Sequence, residues 1–361
     1  MSKGERRITT QSLRENEGVK KSNHPHRAHP RGPRHGFPVF SHLQGQNKMI
    51  KYAIRRMIFV LPTLWAVVTF VFFVIRLVPG GPAVAVLGSF ATAESIQELE
   101  KQMGLDKPLL VQYGNFLKDL CRGDLGKSMI TRRPVSSEIA KALPYTVDLT
   151  VGGMLIGIIL GIPIGIMTAL KRNRAPDYVG RILSLVGISM PEFYLGILLM
   201  YVLAIKLDLF PVLGGGNLGN LGSRLHHLFL PALTLGIIMT AFISRMVRSS
   251  MLNVLREDYV RTAKAKGLKE RAVIYKHALR NALIPTVTVI GLYASILMGG
   301  SVLTEIIYSR PGLGKMMVFA VKDRDYIALQ SVIIIFSAFV FLINLLTDLF
   351  YSLIDPRIEY H

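Results

Sequence analysis

Two glycine-rich stretches have the spacing to cradle a phosphate. GGGNLG at Gly214–Gly219 fits the dinucleotide pattern, in which glycines let the backbone approach a pyrophosphate, and GDLGKS at Gly123–Ser128 resembles the end of a P-loop. Neither has the context that this chemistry requires. The first follows no strand and opens no helix, so it reads as a glycine-rich turn; the second needs a leading glycine where Cys121 stands. His277 and Ser301 have the types of a base and a nucleophile, but they fall near opposite ends of one apolar run, about 36 Å apart if helical at about 1.5 Å per residue. The chain is therefore not expected to be an enzyme, and no catalytic residue is assigned. His24, His26, His29 and His35 could ligate a metal, yet they lie in a Lys/Arg/Pro/Gly-rich stretch with no scaffold, which reads as a solvated basic tail; no metal site is assigned. A single cysteine excludes an intrachain disulfide framework.

Those residues must be positioned by elements that are mostly apolar. Of 361 residues, 50% are hydrophobic and 18% charged, with a mean hydropathy of +0.39, which indicates a membrane protein. The net charge of +20 would suit nucleic acid only if it formed one soluble patch, whereas the bases punctuate apolar runs, so no nucleic-acid partner is expected. Six windows are long enough to cross a bilayer, at roughly 57–78, 146–170, 179–205, 229–246, 284–307 and 329–354. Pro62 in the first and Pro191 in the third predict kinks. Lys and Arg concentrate before the first window, between the second and third, and between the fourth and fifth, which puts those flanks and both termini in the cytoplasm.

This organisation gives a basic tail over 1–48, whose end at Met49 reads as a natural start, and a first span over 49–78. An extracytoplasmic cap follows over 79–143, then a transmembrane core over 144–355 and a short cytoplasmic end over 356–361. Within the cap, ATAESIQELEKQMG has a Ser/Thr start and helical spacing, with Ile96, Leu99 and Met103 on one side.

The cytoplasmic segment 256–285 is the most informative. EDYVRTAKAKGLKERAVIYKHALRNALIP reads as two short amphipathic helices broken at Gly267, with Tyr259, Val260 and Ala263 on one apolar face and Val273, Ile274 and Ala278 on the next. Its bases suit either an acidic groove on another protein or the surface of anionic lipid.

RTAKAKG (Arg261–Gly267) followed by HALRNALIP (His277–Pro285) resembles the ATPase-docking signature of integral permeases of binding-protein-dependent ABC importers, in their dipeptide, oligopeptide and nickel branch. The general signature opens Glu-Ala-Ala, where this chain has Arg261, Thr262 and Ala263, and its later Ile-x-Leu-Pro is replaced by His277, Ala278, Leu279 and Arg280; both departures are typical of the peptide branch. IRRMIFVLPTLWAVVTFVFFVIRLVPGGPA, GDLGKS with RRPVSSEIAKALPYTVDL, SMPEF, RMVRSSML, LTEIIYSRPGLG and DLFYSLIDPR extend the resemblance in order from Ile54 to Arg357.

The resemblance implies an all-α membrane protein with six transmembrane helices and the type I ABC importer (MetI-like) permease fold. It also implies a coupling helix that docks on the ATPase through Arg261, Thr262, Ala263, Lys264, Ala265, Lys266, Gly267, Leu268, His277, Arg280 and Asn281. Implied partners are a second homologous permease, two ABC ATPase subunits, an extracytoplasmic solute-binding protein and the bilayer of a prokaryotic plasma membrane. ATP and Mg would be used by the ATPases, with no cofactor held by this chain. The implied activity is ATP-driven dipeptide or oligopeptide import by alternating access, with nickel or glutathione import as alternatives. A secondary transporter is the rival class; it would carry inverted repeats and coupling-ion residues and would leave the docking loop unexplained. Glu192, an ionisable group inside a span, with its neighbours Ser189 and Phe193, is the candidate for the translocation pathway; a structural pairing with a neighbouring helix is the competing role. Asn344, Asp348 and Glu305 read as structural or interface groups.

Overall fold

Apolar side chains fill the long windows, and in a computed structural model these windows are helical; the structure describes residues 40–77, 83–84, 87 and 92–354. The chain divides into two units, Met1–Gln44 and Gly45–His361. The tail histidines, the PGGP run after Leu77 and the terminal residues 355–361 lie outside the described residues, as do the side chains of Leu99 and Met103.

We number the helices α1 (Phe40–Leu77), α2 (Ala93–Met103), α3 (Leu109–Cys121), α4 (Val135–Leu170), α5 (Ala175–Ser189), α6 (Glu192–Lys206), α7 (Leu221–Val254), α8 (Asp258–Ala265), α9 (Glu270–Ile307), α10 (Leu313–Lys322) and α11 (Tyr326–Ile354). No strand occurs among the described residues; Lys127 and Pro134 form one isolated bridge. Five helices have the length and apolarity to cross a membrane: α4, α7, α9, the part of α1 over Ile58–Leu77 and the part of α11 over Tyr326–Leu349. A sixth crossing is available if the pair α5 and α6 is counted as one span.

Three expectations change. The first helix opens at Phe40, inside the stretch assigned to a tail, and Pro62 sits within it without ending it. The helices also outrun their apolar windows: α4 starts at Val135 rather than near Thr146, and α7 covers Leu221–Val254 rather than 229–246. In the third window the expected kink at Pro191 is a full break, with two helices bent by 108° at Met190–Pro191. Proline lacks the amide that would continue the ladder and drives Met190 to an extended backbone, φ −74° and ψ 128°. At the start of α2 the Thr92 hydroxyl accepts from Ser95 N–H and the Ser95 hydroxyl accepts from Thr92 N–H, a reciprocal cap.

The bundle is organised on a seam between α4 and α7. Gly153, Gly157, Gly161 and Gly165 fall four residues apart on α4 and meet Leu235, Met239, Ile243 and Val247, also four apart, on α7. A Cβ added at Gly157 would lie 2.6 Å from Met239 Cγ, and one at Gly161 would lie 2.7 Å from Ile243 Cβ. The absent side chains are thus what admits the partner's larger ones. In lipid, where burying apolar surface gives little drive for association, such close backbone approach supplies the packing. Leu235, Met239, Ile243 and Val247 continue into a buried cluster with Ala278 and Ala282 of α9.

Candidate docking surface and pathway residues

An eight-residue helix such as α8 is marginal in isolation, so it needs a seat. Val260 and Ala263, one turn apart, provide it: they are buried with Val273 at the start of α9 and pack on Val254 and Leu255 at the end of α7. At the helix end Gly267 adopts φ +76°, its N–H bonds to Lys264 O at 2.9 Å, and Leu268 N–H reaches Ala263 O at 3.4 Å. This closure satisfies carbonyls that would otherwise be orphaned, and it requires a left-handed residue.

The expected docking residues divide by what they face. Arg261, Thr262, Lys264, Ala265, Lys266, Gly267 and Leu268 are exposed, as is Arg280, while His277 is half-buried. Ala263 is buried, 7% exposed, and packs in the seat of the helix beside Val260 and Val273. Asn281 is exposed, and its amide donates to the Tyr259 hydroxyl at 2.8 Å, tying α9 to α8. Tyr259 itself is 40% exposed, off the apolar face on which its spacing placed it. The second half of the segment is not a separate helix either. Glu270–Ala272 runs through a π-helical stretch, Val273–Ala278, directly into Leu279–Ile307, so the seat of α8 is continuous with a candidate span. One ion pair forms on the surface of α8, Arg261 Nη1 to Asp258 Oδ1 at 3.5 Å, with both side chains largely in solvent.

The pathway candidates meet at the break between α5 and α6. Ser189 ends α5 and is exposed; Phe193, in the first turn of α6, is 49% exposed. Glu192 is half-buried and turned toward α9, where its Oε1 accepts from the Thr304 hydroxyl at 2.5 Å, and its carboxylate lies over Gly300, where a Cβ would collide with it. Thr304 stands three residues short of the end of α9, so Glu192 carries a structural contact with that end of the helix. A helix interruption also leaves the last carbonyls of one helix and the first amides of the next without intrahelical partners. Within a membrane such groups are tolerated where protein or a water-filled cavity covers them.

At the opposite end of α9 from α8 lies a buried polar network that the sequence does not reveal. Arg310, fully buried, donates from Nε to Tyr145 O at 3.2 Å and reaches Asp148 Oδ2 at 3.5 Å through Nη2. Arg224 grips the same carboxylate with two donors, Nε at 2.6 Å and Nη2. Burial lowers the Arg310 pKa from its usual range, while Asp148 and then Glu305 raise it again. Glu305, also fully buried, accepts from the Thr146 hydroxyl at 2.6 Å and from Lys315 N–H at 3.0 Å. Asp325 accepts from the Ser128 hydroxyl at 2.5 Å and from Met129 N–H at 3.1 Å, pinning the segment before α4 to the start of α11. Ser128 belongs to the P-loop-like GDLGKS stretch, so its hydroxyl is engaged in the fold. The GGGNLG stretch is a turn, with Gly214 and Gly216 at positive φ and Gly214 N–H bonded to Tyr308 O. In α11, Asn344 accepts from the Ser295 hydroxyl of α9.

A bundle of helices fit to cross a membrane, one of them interrupted, with an exposed helix held at one end by two of them, is the framework of a multi-pass transport subunit. The chain belongs to the family of binding-protein-dependent transport system inner membrane components, which matches residues 161–360, and the N-terminal module of the same systems matches residues 49–150. It is a permease of the dipeptide/oligopeptide branch of ABC importers, a multi-pass protein of the inner membrane. It is 42% identical over 333 residues to a dipeptide transport system permease protein of Alkalihalophilus pseudofirmus, covering 86% of this chain and all of that protein. It is 43% identical over 312 residues to a glutathione transport system permease protein of Pectobacterium atrosepticum, with the same coverage of each chain. Among solved structures, the inward-facing methionine ABC transporter MetNI superposes with a TM-score of 0.48 at 17% identity, covering 60% of this chain and 96% of that one. Systems of this kind work with an ATPase and a substrate-binding protein.

Proposed function

We propose that this chain forms half of the pathway of a peptide importer and receives its energy through α8. In this reading α8 sits in a groove on an ATPase subunit, and closure of two ATPases around ATP and Mg moves it. Because α8 is seated on Val254, Leu255 and Val273, its displacement tilts α7 and α9 together. The seat is the observation that carries the proposal: a helix with cations outside and small apolar residues inside is built to transmit a push between protein bodies. ATP hydrolysis belongs to the partner subunits, and this chain binds no cofactor. The α8 end and both termini face the cytoplasm, and a second, homologous permease completes the pathway opposite the break at Pro191. Ser189 and Phe193 line that pathway, with Glu192 holding the break against α9. Alternating access is then a two-state equilibrium biased by ATP on one side and by the loaded binding protein on the other.

For the cargo we favour dipeptides and short oligopeptides, with glutathione as a second reading because relatives of similar identity carry that name. Glutathione is itself a tripeptide, so the two share an ammonium, a carboxylate and amide groups. Reversing exposed charges with Lys264→Glu and Lys266→Glu together should leave the chain folded, reduce ATPase recovery in co-purification at least tenfold, and abolish ATP-dependent uptake. Unchanged recovery with unchanged uptake refutes the docking role. Uptake of labelled dipeptide, glutathione and nickel by cells relying on this permease ranks the cargoes.

A further inference from the structure

A cavity of about 340 Å³ lies between α4, α5 and α7, toward the end of the bundle that carries α8. Its lining combines Arg181, Arg245 and Arg248 with Leu185, Ile188 and the hydroxyls of Ser184 and Ser244. The hydroxyls are already engaged: they lie 3.0 Å apart, and the proton of each is taken either by the other or by Gly180 O for Ser184 and Ala241 O for Ser244. Arg248 is also committed: its Nε and Nη2 hold the buried Asp177 at 2.7 and 2.9 Å, and Arg181 approaches the same carboxylate at 3.6 Å. Arg245 is exposed and makes no hydrogen bond or ion pair among the described residues. Two guanidiniums therefore share one carboxylate, and Arg245 adds a third positive charge to the lining with its donor fork uncommitted.

We propose that this cavity holds the phosphate of an anionic phospholipid from the leaflet on the α8 side, with Arg245 as its principal ligand. Two observations and one general property select a lipid. The cavity sits low on the bundle, with Arg181 six residues inside the start of α5 and Arg248 six residues before the end of α7, the depth at which long cationic side chains reach a headgroup layer. The exposed face beside it is a continuous apolar surface of Val179, Ile182, Leu183 and Val186, on which acyl chains can lie while the phosphate enters the cavity. A planar guanidinium pairs with phosphate through two parallel donors, and basic pockets between spans on the cytoplasmic side are the sites where acidic headgroups bind. The site is next to the α7 segment that seats α8, so an occupied cavity stiffens the base of the lever. The choice of leaflet rests on the orientation proposed above.

The test uses the full-length chain, co-expressed with its partner subunits and reconstituted in nanodiscs of phosphatidylcholine with or without phosphatidylglycerol. Retained phosphatidylglycerol, counted by native mass spectrometry, should fall about tenfold in Arg245→Gln and be largely preserved in Arg245→Lys. The native complex should gain thermal stability from phosphatidylglycerol, and the Gln variant should not. Equal retention in native and Gln complexes overturns the site. So does Arg245-dependent stabilisation by inorganic phosphate or by a dipeptide in pure phosphatidylcholine, which would make the cavity a site for soluble anions or cargo. Orientation is read separately on the single, exposed Cys121. Labelling by an impermeant maleimide in intact cells supports the cytoplasmic leaflet. Labelling only after permeabilisation overturns that assignment, and the retention result then still decides the lipid site itself.

Discussion

The two ends of this bundle place their charges in opposite ways. At the end beyond α9, Arg310 and Glu305 are fully buried and Asp325 is 3% exposed, and each is met by groups of the same chain drawn from distant parts of the sequence. At the α8 end, Arg261, Lys264, Lys266 and Lys269 all point outward, and the helix is held by the apolar contacts of Val260, Ala263 and Val273 and by the neutral hydrogen bond from Asn281 to Tyr259. One end engages its buried charges within the chain; the other presents its charges outward. The difference suits a frame at the first end and, at the second, the lever proposed above, because buried charge tolerates little displacement while an exposed helix on an apolar seat can be pushed as a unit.

Removing one charge from each end puts this contrast under the greatest strain. Asp148→Ala leaves Arg310 buried without its carboxylate and frees Arg224, which should cost about 3–5 kcal/mol and leave little monodisperse protein by size-exclusion chromatography. Asp258→Ala at the α8 end removes a carboxylate that is 96% exposed and should leave the thermal midpoint unchanged. Equal tolerance of the two substitutions would mean that the network at the far end is not a frame.

Between the ends, the α4–α7 seam joins frame to lever and predicts a slightly smaller effect. Gly161→Val places two methyls where even a Cβ would lie 2.7 Å from Ile243 Cβ and 3.2 Å from Thr240 O, a misfit of about 3 kcal/mol. Gly114→Val, at a glycine with open space around it, serves as the control. A thermal midpoint lowered in the first and retained in the second locates the rigidity in the seam. Loss of uptake without loss of stability would instead make the seam a sliding surface.

What can be read from sequence in this protein follows from the range of each interaction. The spans are legible because apolarity is written continuously along the chain, and the short basic helix α8 with its end at Gly267 because its bases and its glycine are local. Helix ends are misjudged where polar turns carry on a helix, as at Ser136, Glu138 and Lys141 at the start of α4. Pro191 announces an interruption but not an angle of 108°, which depends on α6 packing its Gly196 against Thr234 and Tyr308. Two features escape the sequence reading for different reasons. The glycines at 153, 157, 161 and 165 are visible as a period of four, which on a helix is one stripe, and this signal is enough to mark a contact surface. The Asp148 network leaves no such signal, since its arginines stand 76 and 162 residues away and only the fold brings them together.

Gly267 carries the smallest and most discriminating prediction. At φ +76° a side chain costs about 1–2 kcal/mol, yet nothing in this chain lies within 4 Å of where its Cβ would be. The glycine is thus required within the chain by backbone conformation alone, and any demand for space must come from whatever sits on α8. Alanine and asparagine separate the two demands, because asparagine tolerates the left-handed conformation better than alanine but is larger. If conformation governs, Gly267→Ala should lower uptake and ATPase recovery a few-fold while Gly267→Asn stays near the native level. If a partner surface approaches the backbone here, the order reverses and asparagine is the worse of the two. The reversed order would support a partner surface fitted to the shape of the α8 end as well as to its charges, and equal, native behaviour of both variants would remove Gly267 from the proposed docking surface.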